Sequence, residues 1–181
     1  IHPVAGFNLQ NDINDEFKEI SKLGFKSIKI HPRAKGLTLS DIDLEKIVYN
    51  CNFYKINLLI CTYFNSNLKK TYYEDPKYII AKGLRNLKTN AVLMHGGCER
   101  ILEFAEMIRF NENCYLDLSL TLMKYELSSI DDDIKYLFNN YDKKIMLGSD
   151  WPEINYKKFL KRINSFSKNL KKEKKLNIYY K

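Results

Sequence analysis

Lys144-Ile145-Met146-Leu147-Gly148-Ser149-Asp150-Trp151-Pro152-Glu153 sets an apolar run directly before a glycine, a carboxylate and the lone tryptophan of the chain. A buried parallel strand ends in this way when it delivers a reactive acid to the rim of a sheet. The same letters also suit a helix cap, with Asp150 as N-cap, Pro152 in the first turn and Glu153 completing a capping box. The two readings are compatible, and the remainder of the chain supplies the context for choosing.

Working outward, short apolar runs recur at Val4 to Phe7, Ser27 to Ile30, Leu58 to Cys61, Ala91 to Met94, Tyr115 to Leu118 and Ile145 to Leu147. Each has strand length. Between them lie helix-length stretches with one apolar face: Phe17, Ile20 and Leu23 stopping at Gly24; Leu44, Ile47, Val48 and Cys51; Asp75 to about Leu87; Ile101, Phe104, Ala105 and Ile108; and Ser129 to about Tyr141. Repeated strand–helix–strand connections require parallel pairing with right-handed crossovers, so the carboxyl ends of the strands share one edge. The residues expected there are His31, Cys61 with Thr62, His95, Ser119 and Asp150. Six strands suit either an open doubly wound sheet or most of an eight-stranded barrel, which in its usual form takes about 250 residues.

The 181 residues read as one domain, with no Pro/Gly/Ser-rich linker and 45% hydrophobic content, which excludes disorder. No apolar run approaches the roughly 20 residues that cross a bilayer. The opening Ile1-His2-Pro3 has no charged segment or signal-like apolar run behind it, and the four cysteines form no CxxC pair or dense framework. Together these point to a cytoplasmic protein with reduced thiols. The formal charge of +8 comes largely from lysines between Lys157 and Lys175. Phe159, Leu160, Ile163, Phe166 and Leu170 recur among them at helical spacing, so this segment is expected to be an amphipathic helix with a solvated basic face. No nucleic-acid or membrane partner is expected, because no reading motif accompanies the charge.

Four local patterns carry a family resemblance: Leu23-Gly24-Phe25-Lys26-Ser27-Ile28-Lys29-Ile30-His31-Pro32, Leu93-Met94-His95-Gly96-Gly97, Tyr115-Leu116-Asp117-Leu118-Ser119 and Leu147-Gly148-Ser149-Asp150-Trp151-Pro152. In order and spacing the chain resembles, almost end to end, strands three to eight of the amidohydrolase-related (amidohydrolase family 2) metal-dependent hydrolases, a group that includes nonoxidative decarboxylases. The resemblance implies an α/β fold, a TIM-type β/α barrel, with residues 1–181 forming a single partial barrel domain whose first two β/α units precede Ile1. It implies one divalent metal, zinc by preference, held in the family by a His-x-His pair, a fifth-strand histidine and an eighth-strand aspartate.

Asp150 matches that aspartate and would be both metal ligand and proton acceptor. Cys61 stands where the fifth-strand histidine is expected; a thiolate binds zinc well, while the alternative is a small buried strand residue with no metal. No His-x-His occurs in the chain. His95 matches a histidine that positions or protonates substrate, the alternative being a ring satisfied by backbone in a buried turn. Lys29, His31 and Arg33 follow the fourth family strand and suit an anionic substrate group, although a lysine snorkelling outward has the same spelling. Ser119 and Trp151 are expected as pocket walls, or else as a backbone-satisfying hydroxyl and a packed aromatic.

The expected activity is hydrolysis of an amide, ester or lactone carbonyl by a metal-activated water, or decarboxylation on the same site. The partner is a small molecule of anionic character, and a homodimer is compatible with such barrels. The alternative is a catalytically silent barrel that binds a metabolite or protein, motivated by Cys61.

Overall fold

The computed structural model of the protein describes residues 2–64 and 75–179. The six strands, β1 (Ala5–Gly6), β2 (Ser27–Ile30), β3 (Asn57–Cys61), β4 (Ala91–Met94), β5 (Cys114–Asp117) and β6 (Ile145–Met146), stand in sequence order in the sheet, with β1 and β2, β2 and β3, and β5 and β6 paired in parallel. The chain divides into two compact units, Ile1–Val92 and Leu93–Lys181.

The first unit contains β1 (Ala5–Gly6), α1 (Ile13–Lys22), β2 (Ser27–Ile30), α2 (Leu44–Tyr54), β3 (Asn57–Cys61), α3 (Pro76–Gly83) and the start of β4 (Ala91–Met94). Ile28 pairs with Leu58 and Ile30 with Ile60, and all four are fully buried, whereas Lys29 and Leu59 between them are half-buried. This period-two burial marks the face covered by helices. Asp12 caps α1 by accepting from the N–H groups of Asn14 and Asp15, and Gly24 ends it at φ +82, a left-handed turn that favours glycine. Leu23, expected on the buried face of α1, is instead its exposed C-cap. The helix expected from Asp75 to Leu87 is shorter: α3 stops at Gly83 and a 3-10 turn, Leu84–Asn86, finishes the segment.

The second unit continues with α4 (Ile101–Arg109), β5 (Cys114–Asp117), α5 (Thr121–Lys124), α6 (Ile130–Asn140), β6 (Ile145–Met146), α7 (Tyr156–Ser167) and α8 (Lys172–Tyr179). Leu116 pairs with Ile145 and Asp117 with Met146. Leu116, Leu118 and Ile145 are fully buried, as are Ile101, Phe104 and Ile108 of α4 and Ile134, Leu137 and Phe138 of α6. Each such side chain contributes roughly 1.5–3 kcal/mol by leaving water. The basic C-terminal segment forms two helices, not one. Phe159, Ile163, Phe166 and Leu170 of the expected stripe are buried and Leu160 is exposed; the helix breaks before Leu170, between α7 and α8.

A buried acid, hydroxyl and imidazole form the candidate site

In the second unit a group of buried polar side chains gathers around the turn after β4. After β4 the chain runs through four consecutive residues of positive φ: His95 (+68), Gly96 (+59), Gly97 (+75) and Cys98 (+57). Glycine adopts this region freely, but for His95 and Cys98 it costs about 1–3 kcal/mol each. Gly97 is required sterically, since a Cβ there would lie 2.1 Å from Cδ2 of Phe104.

Three polar groups hold this turn. The His95 backbone N–H donates to Oδ2 of Asp117 at 3.3 Å, and the Thr121 hydroxyl donates to the His95 carbonyl. Nδ1 of His95 lies 3.2 Å from the Ser119 carbonyl oxygen and 3.1 Å from Ser119 Oγ. The Ser119 hydroxyl in turn donates to Asp117 Oδ2. All four side chains are buried. A carbonyl can only accept, so Nδ1 carries a hydrogen. The serine therefore stands between the acid and the imidazole and gives its proton to the acid. In a nucleophilic Ser-His-Asp relay the imidazole occupies the middle place and takes the proton of the serine, so Ser119 is not arranged as a nucleophile.

Burial pushes the Asp117 carboxyl above its ordinary value, while the Ser119 hydroxyl, the His95 N–H and the neighbouring imidazole pull the other way. Gly148 lets the chain after β6 pass close over this pair: a Cβ there would fall 3.1 Å from Asp117 Oδ1 and 3.1 Å from Ser119 Cβ. Asp117 escaped the sequence reading. Its signal was a carboxylate placed inside the apolar run Tyr115 to Leu118, which an interior tolerates only with partners.

Asp150 follows in the turn after β6, half-buried at φ +52. It is not the cap that its flanking residues suggested. The next helix begins at Tyr156, and its N-cap is Asn155, which accepts from the N–H groups of Lys157 and Lys158. The Asp150 carboxylate makes no hydrogen bond or ion pair among the described residues; its backbone carbonyl accepts from Glu153 N–H at 3.1 Å. Trp151 is exposed, and Ser119 is engaged with Asp117 and His95.

In the first unit, Cys61 is buried at the end of β3 beside Thr62. Lys29 and His31 are half-buried, and the exposed Arg33 guanidinium sits 4.6 Å from the centre of the Tyr63 ring. No group of three or more His, Cys, Asp or Glu side chains suited to a metal forms among the described residues. No helix among the described residues is long and apolar enough to cross a membrane.

Comparison with solved structures gives TIM-barrel proteins. An uncharacterized TIM-barrel protein of Bordetella bronchiseptica superposes with a TM-score of 0.79 at 19% identity, covering 99% of this chain and 63% of its own. A probable 2-pyrone-4,6-dicarboxylic acid hydrolase of Acinetobacter baumannii, with citric acid bound, gives 0.63 at 15% identity over 97% of this chain and 68% of that one. A Pseudomonas putida protein described as a hydrolase of the same acid gives 0.58 at 13% identity, over 97% and 67%. No family model matches, and no curated protein matches. The fold is therefore α/β of the TIM-barrel type, and the chain spans about 63% of the length of the Bordetella protein.

Proposed function

We propose that the chain belongs to a metal-dependent hydrolase of the amidohydrolase-related kind that acts on an amide, ester or lactone carbonyl of a small anionic substrate. The observation that carries this reading is Asp150: a half-buried carboxylate in a left-handed turn after β6, with its capping role taken by Asn155. The barrel-type fold supports it, because such folds place reactive groups at the carboxyl ends of their strands. The two hydrolase neighbours lend the substrate class, a carboxylated lactone.

A divalent metal bound at such a site would polarise the carbonyl and make water a nucleophile at neutral pH. Asp150 accepts the proton of the attacking water as the water oxygen adds to the carbonyl carbon. His95, protonated, donates from Nε2 to the oxygen that gains negative charge. Collapse breaks the bond to the leaving oxygen, which receives the proton held by Asp150. Lys29, His31 and Arg33 are proposed to bind carboxylate groups of the substrate; Trp151 is proposed to contact it.

The test is hydrolysis of 2-pyrone-4,6-dicarboxylic acid and simpler lactones by the full-length protein. Asp150→Asn is expected to lower kcat/KM by about 10²–10⁴, with the far-ultraviolet spectrum unchanged. Unchanged turnover in that variant, or ligand binding without turnover in the wild type, would remove the hydrolase reading in favour of a binding protein.

A further inference from the structure

We propose that Asp117 and Ser119 are positioning residues that lock the His95 ring with its hydrogen on Nδ1 and Nε2 directed to the reacting group. The inference deepens the hydrolase reading and rests on it for what His95 faces. Its grounds are geometric. The Asp117 carboxylate oxygen receives two donors, the His95 N–H and the Ser119 hydroxyl. With its hydrogen turned toward Asp117, the Ser119 oxygen can only accept from Nδ1, as the Ser119 carbonyl must. One carboxylate thereby fixes both the backbone of a strained turn and, through a hydroxyl, the tautomer of the ring.

Other charged groups on the turn and on the helices packed against it face different partners. Tyr125 of the segment after α5 donates to Glu99 at 2.8 Å, Arg100 pairs with Glu103 of α4 at 2.7 Å, and Lys124 lies 5.8 Å from the Tyr125 ring centre. Asp117 ends β5 and Ser119 lies in the turn directly after it, so one short stretch of chain supplies both links.

Nitrogen-15 spectra of the histidine rings in the full-length protein, recorded where the ring is neutral, read the tautomer without reference to activity. The wild type is expected to show His95 with Nδ1 protonated and Nε2 bare. Ser119→Ala, which leaves the backbone carbonyl as the single acceptor at Nδ1, and Asp117→Asn, which weakens the acceptor that keeps the Ser119 hydroxyl turned away from Nδ1, are each expected to let the ring move and show a mixture of tautomers. With rates referred to the concentration of folded protein, both are also expected to lower kcat by about 10–100-fold with KM within about threefold. Ser119→Ala keeps the carbonyl acceptor and the His95 backbone bond, so it stands as the test if Asp117→Asn fails to fold. A wild-type ring protonated on Nε2, or wild-type tautomer spectra in both variants, would overturn the proposal. The expected tautomers in a protein that hydrolyses no carbonyl substrate would sink the hydrolase reading and leave the positioning role standing.

Discussion

At Gly97 the backbone stands at φ +75 and the Phe104 ring occupies the place of any side chain. Gly97→Ala is therefore expected to cost about 2–4 kcal/mol, through strain and overpacking together. Gly96→Ala, with its nearest atoms at 3.4 Å, should cost about 1 kcal/mol. Urea midpoints of the two variants check the ordering. Two buried thiols set an alkaline limit: burial pushes Cys51 up to about 12 and Cys114 up to about 11. A folded-state value above the unfolded one contributes stability that is complete below about pH 9 and disappears as pH rises through 11 and 12. Melting temperatures between pH 8 and 11 should fall accordingly, and a Cys51→Ala, Cys114→Ala variant should flatten the fall. Single residues were legible where their pattern was local. His95 and Asp150 stand out because each follows an apolar run and adjoins glycine, whereas the positive φ of His95 and its dependence on Asp117 arise from contacts 22 residues apart in sequence, which no local pattern records.

Three helices of the second unit meet at one side chain. Arg162 of α7 pairs with Asp131 of α6, donates to the Leu122 carbonyl of α5 at 3.1 Å and stacks 4.6 Å from the Phe166 ring centre. Its side chain is 11% exposed and that of Asp131 17%, so Arg162→Ala leaves a mostly buried carboxylate without its partner. The expected loss is about 3 kcal/mol, read from urea unfolding; an effect below about 1 kcal/mol would show that solvent screens the pair. Asn155→Ala should cost about 1 kcal/mol by exposing the first N–H groups of α7. The periodicity of the sequence located all six strands and the longer helices, since burial alternates with period two in β2 and β3 and with helical period in α1, α4 and α6. It erred where an element ends. Leu23, Gly83 and the α7–α8 break are set by capping hydrogen bonds and by tertiary packing, and neither leaves a periodic trace. The four-residue α5 is too short to have one.

At the scale of the molecule, alternating strands and helices led to parallel pairing, and the six-stranded order agrees with it. The choice between an open sheet and a barrel lay beyond local pattern; likeness to TIM-barrel structures supplies it. The candidate site was half legible. The residues proposed for it were named from strand ends, but the network behind His95 belongs to packing between β5, α5 and the turn after β4. The most direct measurement is the metal content and lactone hydrolysis of the full-length protein beside its Asp150→Ala variant. Near-stoichiometric zinc or manganese with turnover in the wild type, both lost in the variant, is the expected result. Equal metal content in the two proteins, or hydrolysis that survives the loss of Asp150, would contradict the role given to that carboxylate.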